Sequence, residues 1–512
     1  MEDYNIFKNL AISSALLILC AVIRVVYTIW WRPKSLEKQL RQQGIKGTSY
    51  KLLHGDMKEI KKSTIQALSK PMTLNHRIAP RVLPFFHEMV QKYGKVCLSW
   101  IETRPRLIIG DPELIRLILA DKNDEFVSPP LNPLVKILQQ GVATLQGERW
   151  AKRRRLITPA FHFEKLKRMV PAFSTSCVGM IDRWKKMIGP EGSSEIDVAQ
   201  EFQNLAGDVI ARTAFGSSYE EGKRIFELQK EQGVLVIEAY TNIYIPGFRF
   251  LPTKKNKRRY EIDKEIKSML RKMIAGKEQA MRNGEFGDND LLGLLLQCKE
   301  ESDSGMTIDD VIEECKLFYF AGQETTAGLL TWTMIVLSMH PDWQQKARDE
   351  VLQICAKRPL DSEAINQLKI VQMILYEVLR LYPPLTCLYR HTRQRTNIGG
   401  FSIPAGVDLT LPILFLHDDP NYWGKDVEKF KPERFSEGVR KASKDDQNAF
   451  YPFGWGPRIC LGQNFTMIEA KLALAMILRD FSFQLSPSYT HAPCSLISLQ
   501  PQYGAPIIVH RI

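Results

Sequence analysis

The sequence predicts a mainly helical protein with a minor β region near its two ends and one amino-terminal membrane helix. The apolar segment from Leu10 to Trp31 is long enough to cross a bilayer core of roughly 30 Å. Short apolar runs such as Leu107 to Ile109, closed by Gly110-Asp111-Pro112, are typical of strands that feed helices. Most later segments place apolar residues at helical spacing, as in Phe163 to Arg183, Val198 to Phe215, Tyr260 to Asn283 and Ile308 to Met339.

The composition indicates one large folded domain. The chain has 512 residues, of which 44% are hydrophobic and 25% charged, and this balance excludes a largely disordered protein. No Ser/Gly/Pro-rich linker divides residues 35 to 512, so we expect a single domain after the membrane segment. Nine cysteines without paired spacing cannot all pair internally, which predicts a reduced compartment.

The formal net charge of +13 favours anionic partners, which could be nucleic acid, an acidic membrane surface or an acidic protein. Basic and acidic residues are interspersed. The basic run Lys254 to Arg259, for example, is followed by Glu261, Asp263 and Glu265. A nucleic-acid groove is therefore the weaker interpretation, and we expect no nucleic-acid partner.

The amino-terminal apolar segment is interpreted as a membrane anchor of residues 1–32, with the spanning part at about 10–31. A cleaved signal peptide is the alternative, but Trp30-Trp31 is a poor cleavage site. Two acidic residues precede the span and several basic residues follow it at once. This asymmetry predicts a single-pass protein with its amino terminus in the lumen and residues 33–512 in the cytosol.

The segment Ile308 to Met339 predicts a helix through the centre of the domain. It begins after Thr307, which forms a capping-box pattern with Asp310, and it ends before His340-Pro341. At 1.5 Å per residue, this helix would be roughly 48 Å long. Because it is apolar on nearly all sides, we expect it to be central rather than peripheral.

The strongest local signal is the loop Phe453-Gly454-Trp455-Gly456-Pro457-Arg458-Ile459-Cys460-Leu461-Gly462. Two interior glycines and a proline predict a tight loop whose backbone N–H groups can approach a central atom. The helical pattern from Gln463 to Leu478 places Cys460 at a helix amino terminus, which favours thiolate over thiol. A buried inert cysteine is the alternative for any single cysteine, but the surrounding loop favours a metal ligand.

This loop has the pattern F-x-x-G-x-R-x-C-x-G, which resembles the haem-binding loop of the cytochrome P450 superfamily. Three further segments resemble motifs of that family in the same order: Ala321 to Thr325, Glu377 to Arg380 and Pro432 to Phe435. The resemblance implies a cytochrome P450 fold for residues 33–512, with haem b as the cofactor. It implies Cys460 as the sulfur ligand to iron. The loop residues expected to contact the haem are Phe453, Gly456 and Gly462.

Polar residues interrupt the apolar central helix at Glu324 and Thr325, and Gly322 costs that helix about 1 kcal/mol relative to alanine. A helix crossing with a satisfied polar pair would explain them structurally. By resemblance, the missing side chain at Gly322 admits dioxygen over the iron, while Glu324 and Thr325 hold water and pass protons. We therefore expect Glu324 and Thr325 to be the catalytic residues.

Glu377 and Arg380 lie three apart on a helix ending near Leu381, so they share one face and can pair. Such a pair is usually solvated, but apolar neighbours predict burial here, and burial demands further partners. By resemblance, Arg434 completes the network and locks the loop before Cys460. These residues are expected to support the haem structurally and to take no part in the chemistry.

Trp150 and Arg154 form a W-x-x-x-R pair on one face of a predicted helix. In similar proteins both contact the haem propionates, and the resemblance implies the same role for Arg390 and Arg458. A basic patch is the alternative, because residues 152–155 are all basic. A planar guanidinium suits a carboxylate, which favours propionate contact for Arg154.

Apolar residues near the haem are candidates for substrate contact, with an ordinary core residue as the alternative at each position. The candidates are Phe320, Ala321, Leu385, Leu388 and Ile497. The stretch 240–252, rich in Tyr, Ile, Phe and Pro, has two interpretations. It either dips into the membrane and admits lipophilic substrate, or forms a core loop.

Segments at both ends of the domain resemble a plant clan of this family. They are Arg32-Pro33-Lys34, Leu40-Arg41, Gly47 to Asp56, Leu485 to Tyr489 and Leu499 to Gln502. The clan includes secologanin synthase, deoxyloganic acid hydroxylases and oleanane triterpenoid oxidases. The resemblance therefore implies oxidation of a lipophilic isoprenoid, iridoid or triterpenoid, in plant specialised metabolism. A gibberellin or brassinosteroid hormone oxidase is the alternative.

The resemblance implies a monooxygenase of the endoplasmic reticulum membrane that uses O2 and electrons from NADPH through a separate reductase. A small lipophilic substrate and membrane lipid are its other expected partners. A haem-thiolate isomerase or dehydratase and a non-enzymatic haem-binding protein are the alternatives, although neither explains the polar pair in the central helix. An acidic reductase domain is expected to dock on the face carrying Cys460. The basic residues proposed for this docking are Lys152, Arg153, Lys431 and Arg440.

Overall fold

Helix dominates the protein and sheet is minor, so the predicted fold class is confirmed. The structure is a computed structural model that describes residues 2–138, 140–217, 219–284, 290–300, 305–356, 359–444 and 449–512. The α-helices of these ranges are α1 (Glu2–Val26), α2 (Arg32–Arg41), α3 (Met57–Leu68), α4 (Ala79–Val82), α5 (Pro84–Tyr93), α6 (Pro112–Leu119), α7 (Pro133–Lys136), α8 (Gly147–Ile157), α9 (Phe163–Ile188), α10 (Val198–Phe215), α11 (Tyr219–Thr241), α12 (Lys254–Arg282), α13 (Leu291–Glu300), α14 (Ile308–Met339), α15 (Pro341–Cys355), α16 (Ser362–Gln367), α17 (Lys369–Leu381), α18 (Ile413–His417), α19 (Pro420–Trp423) and α20 (Gln463–Asp480).

The strands of the described residues form two sheets and two hairpins. They are β1 (Lys46–Gly47), β2 (Val96–Ile101), β3 (Arg104–Ile109), β4 (Phe126–Val127), β5 (Ser193–Asp197), β6 (Leu388–Thr392), β7 (Thr396–Ile398), β8 (Phe401–Ile403), β9 (Asp408–Leu411), β10 (Phe481–Leu485), β11 (Pro493–Ser495), β12 (Leu499–Pro501) and β13 (Pro506–Arg511). One sheet has the order β1-β2-β3-β9-β6-β4 and the other β10-β13-β5, while β7-β8 and β11-β12 pair as hairpins. In the larger sheet β1 is parallel to β2 and β3 to β9, whereas β2-β3 and β4-β6 are antiparallel.

Capping residues set the starts of several helices. α14 begins after Thr307, whose hydroxyl accepts the N–H of Asp310 at 3.1 Å, while the Asp310 carboxylate accepts the Thr307 N–H at 2.9 Å. This is the predicted capping box, and the bounds of α14 are the predicted ones. Asp111 caps α6 in the same way by accepting the N–H of Leu114 at 2.9 Å.

The chain forms two compact units. The smaller unit contains residues through Ile65, Pro84–Pro129 and Tyr389–Leu411, and is built on the six-stranded sheet. The larger unit contains Gln66–Leu83, Pro130–Leu388 and Pro412–Ile512. It holds α14, α20 and the β11-β12 hairpin, and with them most of the predicted site residues.

The larger unit is organised around α14. This helix is buried on all faces from Thr326 to Leu337, as predicted for a central helix. Its buried Thr333 hydroxyl donates to the carbonyl of Leu329 at 2.7 Å, which satisfies the hydroxyl within the helix. Trp332 stacks on Tyr382, with ring centroids 4.4 Å apart, and so fixes α14 against the end of α17.

The amino-terminal helix continues without a break into the folded part of the smaller unit. α1 passes through a π-helical turn, Tyr27–Trp31, directly into α2. The Tyr50 hydroxyl donates to the carbonyl of Ile29 at 2.6 Å. Among the described residues, Ile6–Arg41 is the helical run that is long and apolar enough to cross a membrane. The predicted end of the anchor at residue 32 therefore lies inside a continuous helix.

Candidate active site

Cys460 lies in a tight loop that its own backbone holds together. The N–H of Cys460 donates to the carbonyl of Phe453 at 2.9 Å. Gly454 and Gly456 have φ angles of +74° and +71°, which explains why glycine stands at both positions. α20 begins at Gln463, directly after the loop. The predicted non-helical loop and the helix that follows it are both present.

The surroundings of the Cys460 sulfur suit a metal-bound thiolate. Burial raises the pKa of the Cys460 thiol, and the N–H groups of Gly462 and Gln463 and the guanidinium of Arg154 offset only part of that rise. Cys460 is nevertheless an exposed residue, so protein atoms do not seal it off. Two N–H groups and one cation that stabilise a thiolate thus converge on an accessible cysteine, which fits an iron ligand.

α8 brings predicted propionate contacts next to this loop. The guanidinium carbon of Arg458 lies 4.4 Å from the ring centroid of Trp150, a cation–π contact. Burial lowers the pKa of Arg154, while the nearby charge of Cys460 raises it. The structure therefore brings Trp150, Arg154 and Arg458 together with Cys460. Arg390 lies on β6 of the smaller unit. Propionate contact by these four residues stays a prediction.

Residues 321–325 of α14, here called the open stretch, are partly exposed to solvent, whereas much of the helix is buried. Ala321 is exposed and residues 322–325 are half-buried, whereas the next three turns are fully buried. Thr326 and Thr466 lie 3.2 Å apart between their hydroxyl oxygens, which joins the end of this open stretch to the first turns of α20. The polar segment of α14 and the helix that starts after Cys460 are therefore neighbours.

Gly322 has a packing role in this stretch. A Cβ at Gly322 would lie 2.8 Å from Cδ1 of Ile210 on α10, well inside an ordinary contact. The missing side chain therefore lets α10 and α14 approach closely. The close packing of α10 against α14 is therefore sufficient to explain a glycine at this position, and access of dioxygen is not needed to explain it.

Glu324 and Thr325 engage different partners. The Thr325 hydroxyl donates to the carbonyl one turn earlier at 2.8 Å and is exposed, so its oxygen can still accept a hydrogen bond. One carboxylate oxygen of Glu324 accepts from Ser498 at 2.7 Å and from Gln500 at 3.2 Å. The other accepts from Gln203 at 3.3 Å. The Glu324 carboxylate is therefore held by the carboxyl-terminal hairpin and α10.

Sequence reasoning missed these three partners of Glu324. They lie 121 to 176 residues away in the sequence, on α10 and on the β11-β12 hairpin. A carboxylate in an apolar helix does signal that donors must surround it. No local pattern shows which residues supply them.

Glu377 and Arg380 form a bidentate ion pair on α17. Nε and Nη2 of Arg380 donate to the two oxygens of Glu377 at 2.8 and 2.7 Å, and both side chains are 0% exposed. Arg380 also donates to the carbonyls of His417 and Lys429, and Glu377 accepts the N–H of Lys431 at 3.0 Å. The expected burial and the further partners are both present.

Arg434 lies beside this ion pair. Its Nε is 3.6 Å from a Glu377 oxygen, and its Nη1 donates to the carbonyl of Trp423 at 2.7 Å. Arg434 also pairs with Asp426 at 2.9 Å. Burial alone would raise the pKa of Asp426, but hydrogen bonds from Lys431 and Arg434 lower it to about 2. The structure thus brings Arg434 to the network that the resemblance implied.

His417 links the network to the loop that carries Cys460. Burial and, to a smaller extent, the charge of Arg380 lower the pKa of His417 to about 3, so the ring is neutral. Its Nε2 accepts the N–H of Tyr451 at 3.1 Å, so Nδ1 carries the proton and donates to the Arg380 carbonyl at 3.1 Å. The Tyr451 carbonyl accepts the N–H of Gly454 at 3.0 Å. Sequence reasoning did not identify His417.

The expectation that Arg153 belongs to an exposed docking surface is wrong. Its side chain is 10% exposed and pairs with Glu314 at 2.8 Å and Asp310 at 3.2 Å. Glu314 is fully buried and also accepts the N–H of Val142 at 3.1 Å. Arg153 therefore fastens α8 to the first turns of α14. The other docking candidates, Lys152, Lys431 and Arg440, are exposed.

The substrate candidates keep partly open surfaces. Ala321 is exposed, and so is Leu385 at 39%, while Phe320, Leu388 and Ile497 are half-buried. Leu388 reaches the loop that carries Cys460, since its Cδ1 is 3.9 Å from the Cβ position at Gly454. Partial exposure of apolar side chains suits the lining of a binding pocket, and their contact with substrate stays a prediction.

Similarity to known proteins now identifies the family. The cytochrome P450 family model matches residues 74–502. Cytochrome P450 CYP72A616 of Paris polyphylla is 53% identical, over 94% of this chain and 95% of that protein. The 7-deoxyloganic acid hydroxylase of Catharanthus roseus is 48% identical over 96% of each chain. Secologanin synthase 1 of the same plant is 46% identical, over 100% of this chain and 99% of its own.

A solved structure shares the fold. The structure described as retinoic acid bound cyanobacterial CYP120A1 has a TM-score of 0.76 and 23% sequence identity, and the match covers 91% of this chain and 99% of that one. The curated relatives confirm the plant clan that the sequence resembles. The chain belongs to the cytochrome P450 family and is a monooxygenase that binds haem b and receives electrons from NADPH through a reductase.

Proposed function

We propose that the protein oxidises a lipophilic isoprenoid of the iridoid or triterpenoid class in plant specialised metabolism. The observation that carries this proposal is the full-length similarity to relatives named 7-deoxyloganic acid hydroxylase and secologanin synthase. The partly exposed apolar side chains of Ala321 and Leu385 suit a lipophilic substrate.

Product analysis tests the substrate class. The protein would be co-expressed with a plant NADPH-dependent reductase and offered 7-deoxyloganic acid, an oleanane triterpenoid and a gibberellin-type acid in separate incubations. Mass spectrometry is expected to show oxygen added to the iridoid or the triterpenoid only when NADPH is present. Oxidation of the gibberellin-type acid alone would favour a hormone oxidase. An NADPH-independent product of unchanged mass would indicate an isomerase.

The residues around Cys460 hold the cofactor in this proposal. Haem would supply the chemistry that activates O2 and inserts one of its oxygen atoms into a substrate C–H bond. Cys460 would bind its iron as thiolate, and the N–H groups of Gly462 and Gln463 would stabilise the charge on the sulfur. Phe453 and Gly456 would shape the loop that holds the haem. Trp150, Arg154, Arg390 and Arg458 would hold its propionates.

Thr325 and Glu324 supply protons in this proposal. The Thr325 hydroxyl donates to a helix carbonyl, which leaves its exposed oxygen to accept a hydrogen bond from water. Water ordered there lies on the open stretch of α14 that begins at Ala321. Glu324 exchanges protons with this water when its carboxylate turns from its partners on the hairpin and α10.

Replacing Thr325 with alanine is expected to uncouple NADPH consumption from product formation. Positioned proton donors contribute about 100-fold or more to rate, so product formed per NADPH consumed should fall at least about fivefold, with the difference appearing as peroxide. Haem content and substrate affinity should stay close to wild type. The measurement is the ratio of product and peroxide to NADPH consumed, for the variant and for Glu324→Gln.

Thr333→Ala is the matched control for Thr325→Ala. Thr333 makes the same hydrogen bond to the carbonyl four residues earlier in α14, but it is fully buried. Its replacement should leave coupling unchanged. Wild-type coupling in Thr325→Ala would refute an indispensable role for that hydroxyl.

We further propose that residues 1–32 anchor the protein in the endoplasmic reticulum membrane, with residues 10–31 crossing it and residues 33–512 forming a cytosolic catalytic domain. The apolar side chains of α1 are exposed, as expected of a helix that faces lipid.

In the stretch 240–252, Ile245 is 64% and Phe250 74% exposed, so membrane contact is favoured over a core loop. An acidic reductase domain would dock near Cys460 through the exposed basic residues Lys152, Lys431 and Arg440. Arg153 is not one of them, because it is buried in an ion pair.

A further inference from the structure

The β11-β12 hairpin holds the carboxylate of Glu324. At its second strand, Ser498 and Gln500 donate to one carboxylate oxygen at 2.7 and 3.2 Å. Gln500 also donates to the Ser498 hydroxyl at 3.0 Å, which orients the two donors together. Gln203 on α10 donates to the second oxygen. Both oxygens of this catalytic candidate are therefore engaged by groups other than Thr325.

The base of the hairpin is fixed, while its tip carries one of the substrate candidates, Ile497. The indole N–H of Trp332 donates to the carbonyl of Leu499 at 3.1 Å, and the N–H of Leu499 donates to the carbonyl of Pro384 at 2.9 Å. At the tip, Leu496 is 59% exposed. Cδ1 of Ile497 lies 3.2 Å from the Cβ position at Gly233 of α11.

Ile497 and Ser498 are consecutive, so contact at one moves the other. A ligand that displaced the backbone at Ile497 would therefore move the Ser498 hydroxyl, whose bond to Glu324 is the shortest of the three. A hydrogen bond to a charged group is roughly twice as strong as a neutral one, and its length and direction decide its strength. A small displacement of the tip is therefore enough to weaken the hold on Glu324.

We propose that Ser498 and Gln500 are positioning residues that hold Glu324 turned away from Thr325 until a ligand occupies the space at Ile497. In the held state the carboxylate cannot exchange protons with water at Thr325. Displacement of the hairpin tip releases it. Proton supply is thereby linked to substrate binding, and wasteful NADPH consumption is limited when the site is empty. This inference rests on the proposed role of Glu324 in proton supply.

NADPH consumption without added substrate tests the proposal in the full-length protein with its reductase. Ser498→Val and Ser498→Thr match each other in shape and differ only in the hydroxyl. Removing one hydrogen bond to a charged group shifts the balance between held and released states by about tenfold. Ser498→Val, and more so its combination with Gln500→Leu, should therefore raise substrate-free NADPH oxidation about fivefold or more. Ser498→Thr should stay near wild type.

Three further measurements separate this positioning role from general damage. Ser495→Ala removes a hydroxyl from the same hairpin that contacts Thr386, not Glu324, and should change nothing. Ser498→Val should have no additional effect in a Glu324→Gln background, because both changes act through one carboxylate. Hydrogen exchange at the amides of residues 496–500 should rise in Ser498→Val and in Glu324→Gln, and not in Ser495→Ala.

Two results would overturn the proposal. One is wild-type substrate-free NADPH oxidation in folded Ser498→Val with Gln500→Leu. The other is an increase of the same size when Glu324 is already glutamine. The proposed role of Glu324 in proton supply has its own test. It is refuted if Glu324→Gln alone leaves coupling, rate and the solvent deuterium isotope effect unchanged. The two failures are therefore distinguishable.

Discussion

Replacing Cys460 with alanine is expected to abolish the thiolate-ligated haem spectrum while leaving the polypeptide folded. The sulfur is the atom on which the N–H groups of Gly462 and Gln463 and the charge of Arg154 converge, so no neighbouring side chain substitutes for it. Cys460 is an exposed residue, so loss of its sulfur removes little packing. The measurement is the absorption spectrum of the reduced, carbon-monoxide-bound protein, together with its helical circular dichroism.

Cys355→Ala is the matched control, because Cys355 is a half-buried cysteine near Arg479 and Asp480, at the end of α20 opposite to Cys460. Its replacement should leave the spectrum unchanged. A thiolate-type spectrum that survives in Cys460→Ala would refute the assignment of the iron ligand. Helical circular dichroism close to wild type would show that loss of the spectrum reflects ligation and not unfolding.

Local signals in the sequence were sufficient for the bounds of α14 and α10 and for the loop that carries Cys460, whereas α12 begins at Lys254, six residues before its predicted start. The capping box of Thr307 and Asp310 predicts where α14 begins, and His340-Pro341 predicts where it ends. Both signals are local, because a cap or a proline affects helix formation only within a few residues of itself. The observed α10, Val198–Phe215, matches its predicted range for the same reason. The loop before α20 was predictable because its glycines adopt positive φ.

Tertiary partners could not be predicted in the same way. Arg153 stands in a run of basic residues, which predicts an exposed patch, yet its carboxylate partner Glu314 lies 161 residues away. Burial of an arginine depends on whether the fold brings a carboxylate to it, and sequence spacing along α8 carries no such information. The same limit applies to Glu324, whose donors come from α10 and the β11-β12 hairpin.

His417 shows a further limit. The resemblance implied that Arg434 locks the loop before Cys460. The structure places Arg434 beside the ion pair, and a hydrogen-bonded path runs from Arg380 through His417 to Tyr451 in the loop. A single histidine at the end of the short α18 has no pattern that marks it. The role of His417 depends on which of its ring nitrogens carries the proton. The hydrogen-bond partners that the fold brings to the ring determine this.

The ion pair of Glu377 and Arg380 is expected to contribute much more to stability than an exposed pair with the same spacing. Replacing either residue with alanine leaves the other charge buried, which costs about 3 to 5 kcal/mol. Glu113 and Arg116 on α6 are the matched control, because they are also three apart and hydrogen-bonded, but 62% and 43% exposed. Glu113→Ala should cost below about 1 kcal/mol. The measurement is the free energy of unfolding from urea titration.

The double variant separates the pair interaction from the cost of an orphaned charge. Glu377→Ala combined with Arg380→Ala removes both charges, so its loss of stability should be smaller than the sum of the two single losses. Arg380→Ala also frees the carbonyls of His417 and Lys429, and should therefore destabilise more than Glu377→Ala. Because the Arg380 carbonyl holds His417, and His417 holds Tyr451, haem loss on heating should occur at a lower temperature in both single variants. Equal losses from Glu377→Ala and Glu113→Ala would show that the buried pair contributes no more than a solvated one.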